Sequence, residues 1–121
     1  MTHWTQDETD RLAAAPQIQI APRAPDGSLR PFTTISCVRR GNELYVRSWR
    51  GPSGCWFSTA SRWRAGRVRS AGVEHDVAFV DNDATREAVD AAYRQKYGGS
   101  SYVDAMVTDD AAASTLRLVP R

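Results

Sequence analysis

Polar and apolar residues alternate in several short stretches of this chain and follow a helical period in one longer one. Gln17-Ile18-Gln19-Ile20 alternates with period two, as does Glu43 to Trp49, where Leu44, Val46 and Ser48 oppose Tyr45, Arg47 and Trp49; each reads as a strand. Phe32 to Val38 is rich in β-branched and aromatic residues, and Arg40-Gly41-Asn42 can supply the positive φ angles of a hairpin turn between it and the next strand. A second hairpin is expected from strands at about Gly66 to Ala71 and Glu74 to Val80, turning at Gly72-Val73, and Thr115 to Val119 should close the sheet.

Helical signals are fewer. Thr5 followed by Glu8 is a capping box, Asp7 complements the dipole, and Pro16 should end this first helix by Ala15. Gly51-Pro52-Ser53-Gly54 breaks a strand, and Cys55 to Arg64 reads as a short helix burying Trp56 and Phe57. The strongest helix runs from about Ala84 to Tyr97, with Val89, Ala92, Tyr93 and Tyr97 on one stripe, Asp83 as N-cap, an outward Asp90–Arg94 pair and Gly98 as a left-handed stop. Tyr102 to Val107 receives no assignment, and Asp109-Asp110 reads as a solvated turn. Short strands in hairpins, separated by single helices, predict a mainly β chain: an antiparallel barrel or strongly curled sheet with two or three short helices.

Composition narrows the class. A length of 121 residues suits one domain over residues 1–121, and 41% hydrophobic with 25% charged residues is ordinary for a globular protein. No apolar run approaches the roughly 18 residues that span a bilayer. Met1 to Glu8 lacks the basic and apolar regions of a secretory leader, so a cytoplasmic location is expected. The sixteen basic residues include a single lysine, Lys96. Eight arginines between Arg39 and Arg69 share their stretch with one acid, Glu43, which makes an anionic partner plausible.

Catalytic signatures are scarce: the chain has no GxGxxG, no phosphate-binding GxxxxGK[ST], no GxSxG and no HExxH. Two histidines and two cysteines are scattered, so no metal site is expected and both thiols should be reduced. His75 reads as solvated or at the core edge, and Cys37 as a small core residue. Cys55 could be activated if it opens a helix beside Arg50. One constellation stands out: Arg47-Ser48-Trp49-Arg50-Gly51 at a strand end, then Gly54-Cys55-Trp56-Phe57 entering a helix. Guanidinium groups, a glycine turn and a helix N-terminus together favour phosphate. The alternative is that these arginines coat the wet face of a sheet while the tryptophans plug the barrel.

Arg30-Pro31-Phe32-Thr33-Thr34-Ile35, Leu44 to Gly51, Trp56-Phe57, Ala91 to Gly98, Tyr102-Val103-Asp104 and Thr115 to Leu118 resemble a family of small bacterial proteins known only as a domain of unknown function. More distantly, the order of strand, hairpin, glycine turn, Trp-bearing helix and hairpin is similar to the split β-barrel of pyridoxamine-phosphate-oxidase-like flavoproteins and deazaflavin-dependent nitroreductases. That resemblance implies a split antiparallel barrel holding FMN or deazaflavin, with Arg30, Thr33, Arg47, Ser48, Arg50, Gly51, Trp56 and Phe57 around the cofactor. Phe57 stands where those nitroreductases carry Tyr, so Tyr97 or Tyr102 would have to supply a hydroxyl to the substrate pocket. The chain is also short of the N-terminal segment that covers the substrate in some relatives. Catalytic residues are left unassigned, because the cofactor would carry the redox chemistry.

Three functions remain open at this level: a flavin- or deazaflavin-dependent oxidoreductase acting on a small organic molecule, a non-catalytic module for a small anionic metabolite, and a single-stranded nucleic-acid surface of Trp49, Trp56, Trp63 and the arginines. A homodimer is implied by the resemblance alone.

Overall fold

The computed structural model describes residues 3–121, leaving the first two residues of the segment read for a leader outside the description. Its centre is a seven-stranded antiparallel sheet in the order β2-β1-β5-β6-β7-β4-β3. The strands are β1 (Ile18–Pro22), β2 (Thr33–Ile35), β3 (Cys37–Arg40), β4 (Glu43–Val46), β5 (Ala65–Ser70), β6 (Val73–Asp81) and β7 (Leu116–Pro120). Around it lie α1 (Gln6–Ala14), α2 (Cys55–Trp63), α3 (Arg86–Tyr97), α4 (Tyr102–Met106) and α5 (Asp109–Ala113).

The single strand expected over Phe32 to Val38 is two strands. β2 pairs with β1 and β3 pairs with β4, so the two edges of the sheet are joined through Ser36 alone. A sheet whose edges are one residue apart in the chain must curl until they nearly meet, giving a nearly closed barrel with one seam. Ser36 is buried at that seam, its hydroxyl 3.2 Å from the Tyr93 hydroxyl.

Both hairpins form as expected. Gly41 takes φ +63° at the first of two central positions between paired Arg40 and Glu43, where a type II′ turn needs glycine. In the second hairpin Ser70 pairs with Val73, so the turn is Ala71-Gly72, both at positive φ.

Two apolar clusters lie on opposite faces of β3 and β4. Leu44, Val46 and Cys37 point into the barrel with Ile18, Ile20, Val68 and Phe79, while Val38 and Tyr45 point outward beneath Val89 and Tyr93 of α3. Each buried Leu, Ile, Val or Phe contributes about 1.5–3 kcal/mol relative to exposure. Trp4, before α1, joins the first cluster and donates its indole N–H to the Leu118 carbonyl at 2.9 Å.

The capping box is present at α1, but α3 differs from expectation in three ways. Its N-cap is Thr85, which accepts from the Ala88 N–H; Asp83 instead accepts from the Tyr45 hydroxyl. Gly98 is extended at φ −54°, and the left-handed residue is Gly99. Asp90 is buried against the barrel rather than paired outward with Arg94, because it lies one turn from Tyr93 on the packed face. The unassigned Tyr102 to Val107 segment forms α4, and Asp109-Asp110 are the first turn of α5, where Thr108 caps the helix through the Ala111 N–H. No helix among the described residues is long and apolar enough to cross a membrane.

Candidate functional site

Beside the seam, β4 runs out of ladder partners at Val46 and the chain turns through Arg47 to Gly54 into α2. A short 3₁₀ turn at Gly51–Ser53 makes the corner, with Gly51 N–H donating to the Ser48 carbonyl and Gly54 N–H to the Gly51 carbonyl. The corner is held from outside by Ser114 after α5: its hydroxyl accepts from the Ser48 N–H at 2.8 Å and donates to the Ala111 carbonyl at 2.6 Å. Glycine is required twice here. A Cβ on Gly54 would lie 2.3 Å from Ser48 Oγ, and one on Gly51, at φ +66°, would lie 2.8 Å from both Cβ and the carbonyl oxygen of Asp110.

The chain path leaves two adjoining cavities of about 250 Å³ each, which share Thr33, Cys55 and Trp56 as a common wall. The inner cavity reaches Ser36, Arg47, Ser48 and Tyr102, whereas the outer one reaches Arg30, Pro31 and Thr59. Gly54 caps α2 without a side-chain hydrogen bond, and no acid sits in the first turn. The N–H groups of Cys55, Trp56 and Phe57 therefore have no intrahelical acceptor, and the helix presents its positive end to the cavities.

The sequence-predicted residues divide accordingly. Thr33, Arg47, Ser48, Arg50, Trp56 and Tyr102 share the inner cavity, and Arg30 joins Thr33 and Trp56 in the outer one. Gly51 shapes the corner without lining either cavity, and Phe57 packs against the barrel core. Tyr97 is outside both: its hydroxyl donates to the Pro16 carbonyl, and burial pushes it up to about 12.

Arg47 is 1% exposed, the largest fully buried side chain of the protein among the described residues. Its Nε donates to Thr115 Oγ1 at 2.8 Å, its Nη1 to Asp90 Oδ1 at 2.5 Å and to the Met106 carbonyl at 2.8 Å, and its guanidinium lies over the Tyr93 ring. Asp90, Ser114 and Thr115 are the partners that sequence reasoning missed. Asp90 carried a readable signal, an acid one turn from Tyr93 on the apolar stripe; the two hydroxyl residues carried none.

The arginine-rich stretch does not form one basic surface. Arg39 pairs with Asp10, Arg64 with Asp81, and Arg67 with Glu74 and Asp76, acids from distant parts of the chain or the facing strand. Among the described residues Arg30 and Arg50 make no ion pair, and Arg50 lies over the ring of Trp49, which is 65% exposed. No three His, Cys, Asp or Glu side chains gather as a metal would require among the described residues.

The thiols are separated by burial. Cys37 lies in the barrel core, where desolvation pushes it up to about 12 despite nearby Lys96, while Cys55 is exposed at the first residue of α2. At neutral pH the folded protein should react with one equivalent of a disulfide reagent, and with two only after denaturation. Rapid reaction of both in the folded state would show that the core is not sealed at β3.

A nearly closed antiparallel barrel with a helix-capped groove at its seam defines the structural class, and solved proteins share it. The conserved hypothetical protein Rv2991 from Mycobacterium tuberculosis superposes with a TM-score of 0.63 at 12% identity, over 98% of this chain and 80% of that one. A protein described as a putative 5-nitroimidazole antibiotic resistance protein from Bacteroides thetaiotaomicron gives 0.57 at 15% identity, over 99% and 81%. At such identities the likeness is one of fold. The chain belongs to the DUF2255 family, uncharacterized proteins conserved in bacteria, which it matches over residues 8–118. No curated protein matches the sequence.

Proposed function

We propose that the protein is an oxidoreductase that uses FMN or a deazaflavin to act on a small organic molecule. The observation that carries this reading is the uncapped, acid-free start of α2 opening onto a groove walled by Trp56 and Thr33. Free amides at a helix start, with the unpaired Arg50 beside them, suit a phosphate-bearing ligand, and the aromatic wall suits a planar ring. The fold shared with a protein described in terms of nitroimidazole resistance supports the same reading.

A bound flavin or deazaflavin would supply hydride transfer. The chain's own part is to bind and orient: the amides of Cys55, Trp56 and Phe57 and the Arg50 guanidinium would hold the phosphate, and Trp56 would keep water from one side of the ring. Tyr102 and Ser48 are the hydroxyls at the inner cavity for orienting a substrate.

Titration of FMN and of a deazaflavin into the purified protein is expected to change cofactor fluorescence at micromolar concentrations. Arg50→Ala should weaken the affinity about tenfold, the scale of one charge-assisted phosphate contact. Unchanged fluorescence with both cofactors would sink the proposal. The dispersal of the arginines into ion pairs tells against the nucleic-acid reading. A cofactor bound without turnover across nitroaromatic and quinone substrates would favour the non-catalytic module instead.

A further inference from the structure

The inner cavity contains a cation that the barrel does not neutralise on its own. Arg47 reaches it from β4, is buried, and uses Nε and Nη1 on Thr115, Asp90 and Met106, leaving Nη2 buried with no hydrogen-bond partner among the described residues. Asp90 is shared: its other oxygen lies 3.5 Å from Arg86 Nε, so one buried carboxylate faces two guanidinium groups. Arg86 has a further partner in Asp109, but that carboxylate is 92% exposed and contributes little field at the cavity. Lys96, part-buried nearby with its ammonium on the Cys37 carbonyl, has no carboxylate partner among the described residues.

An orphaned guanidinium nitrogen in a protein interior costs about 1–3 kcal/mol unless something accepts from it. The groups beside it are suited to an anion. Ser48 Oγ and the Tyr102 hydroxyl make no hydrogen bond among the described residues, and the amide end of α2 faces the same space through Gly54 and Cys55. Trp56 and Ile35 supply apolar walls.

We propose that the inner cavity is a carboxylate site: a small organic acid enters with its carboxylate on Arg47 Nη2 and its apolar part against Trp56. This names the substrate class for the oxidoreductase reading and rests on that reading only for what reacts with the acid, since the binding itself needs no cofactor. It also separates Arg47 from the phosphate-binding role that the sequence suggested, leaving that role to Arg50 and the start of α2.

The test uses the full chain, ¹⁵N-labelled and free of cofactor, in chloride-free buffer, with benzoate as probe and benzamide as its uncharged counterpart. Benzoate should shift the Arg47 Nε–H resonance and the amides of Ser48 and Tyr102, with an affinity at least tenfold above that of benzamide. Arg47 cannot be replaced alone without leaving Asp90 unpaired, so the paired variant Arg47→Met with Asp90→Leu removes both charges at similar volume, a change that buried ion pairs tolerate. In it the preference for benzoate should vanish while the Trp56 amide still senses both probes. Equal binding of benzoate and benzamide by the native chain, no response at Arg47 Nε, or a preference retained in the paired variant would each overturn the proposal. FMN titration on the same samples is a separate readout, so loss of cofactor binding and loss of carboxylate binding are distinguished.

Discussion

Asp90→Ala is expected to lower the unfolding free energy by about 3–5 kcal/mol, the usual cost of leaving one member of a buried ion pair behind. The Arg47 side chain is 0% exposed, and without Asp90 its remaining partners are the neutral Thr115 hydroxyl and the Met106 carbonyl. Neither can balance a guanidinium charge in an interior of low polarity. Against a total stability of about 5–15 kcal/mol for a domain of this size, such a loss brings the chain near its unfolding threshold. Urea unfolding should show the midpoint fall sharply, whereas Asp109→Ala, at the far exposed end of the same chain of ion pairs, should leave it almost unchanged. A small effect of Asp90→Ala would mean that water reaches Arg47 from the inner cavity. The same variant frees Arg47 to move, so benzoate affinity should fall along with stability if the carboxylate site depends on its present geometry.

The second large effect is expected at the corner of the groove. Gly51→Ala combines a left-handed backbone, costing a residue with a Cβ about 1–2 kcal/mol, with overpacking that typically costs about 1–3 kcal/mol. The added carbon would meet the Asp110 backbone rather than a side chain that could swing aside. Relief requires moving α5, and α5 ends at Ser114, whose hydroxyl holds Ser48. Gly41→Ala is the matched control, with φ +63° in a hairpin turn and nothing within 4 Å of the added carbon. It should show the backbone cost alone. Thermal unfolding of the two variants separates the terms, and only Gly51→Ala should also weaken cofactor and benzoate binding. Equal losses in both would show that α5 yields freely and does not fix the groove.

These residues illustrate how far local pattern reaches. The capping box at Thr5 and Glu8, the hairpin turns at Gly41 and Gly72, the helix opening at Cys55 and the tyrosine-striped α3 were legible because each depends on neighbours within a few positions. The groove itself was partly legible: a glycine turn leading into a helix start has the same meaning wherever it occurs. The role of Arg47 was not, because on an alternating strand a long cation reads as solvent-facing. Here both faces of β4 are covered, one by the barrel interior and the other by α3, so the residues that should have faced water are buried as well.

Sequence alone thus determined the type and order of the elements, the curled antiparallel sheet they build and the place where a helix start meets arginines and tryptophans. Only the tertiary structure decided that Phe32 to Val38 breaks at Ser36 to close the barrel, that Asp90 turns inward, and that Tyr97 is spent on Pro16 while Tyr102 reaches the cavity. The reason is common to all three. Each outcome depends on which distant segment covers a face, and the partner of a buried charge or hydroxyl is chosen by packing between segments tens of residues apart.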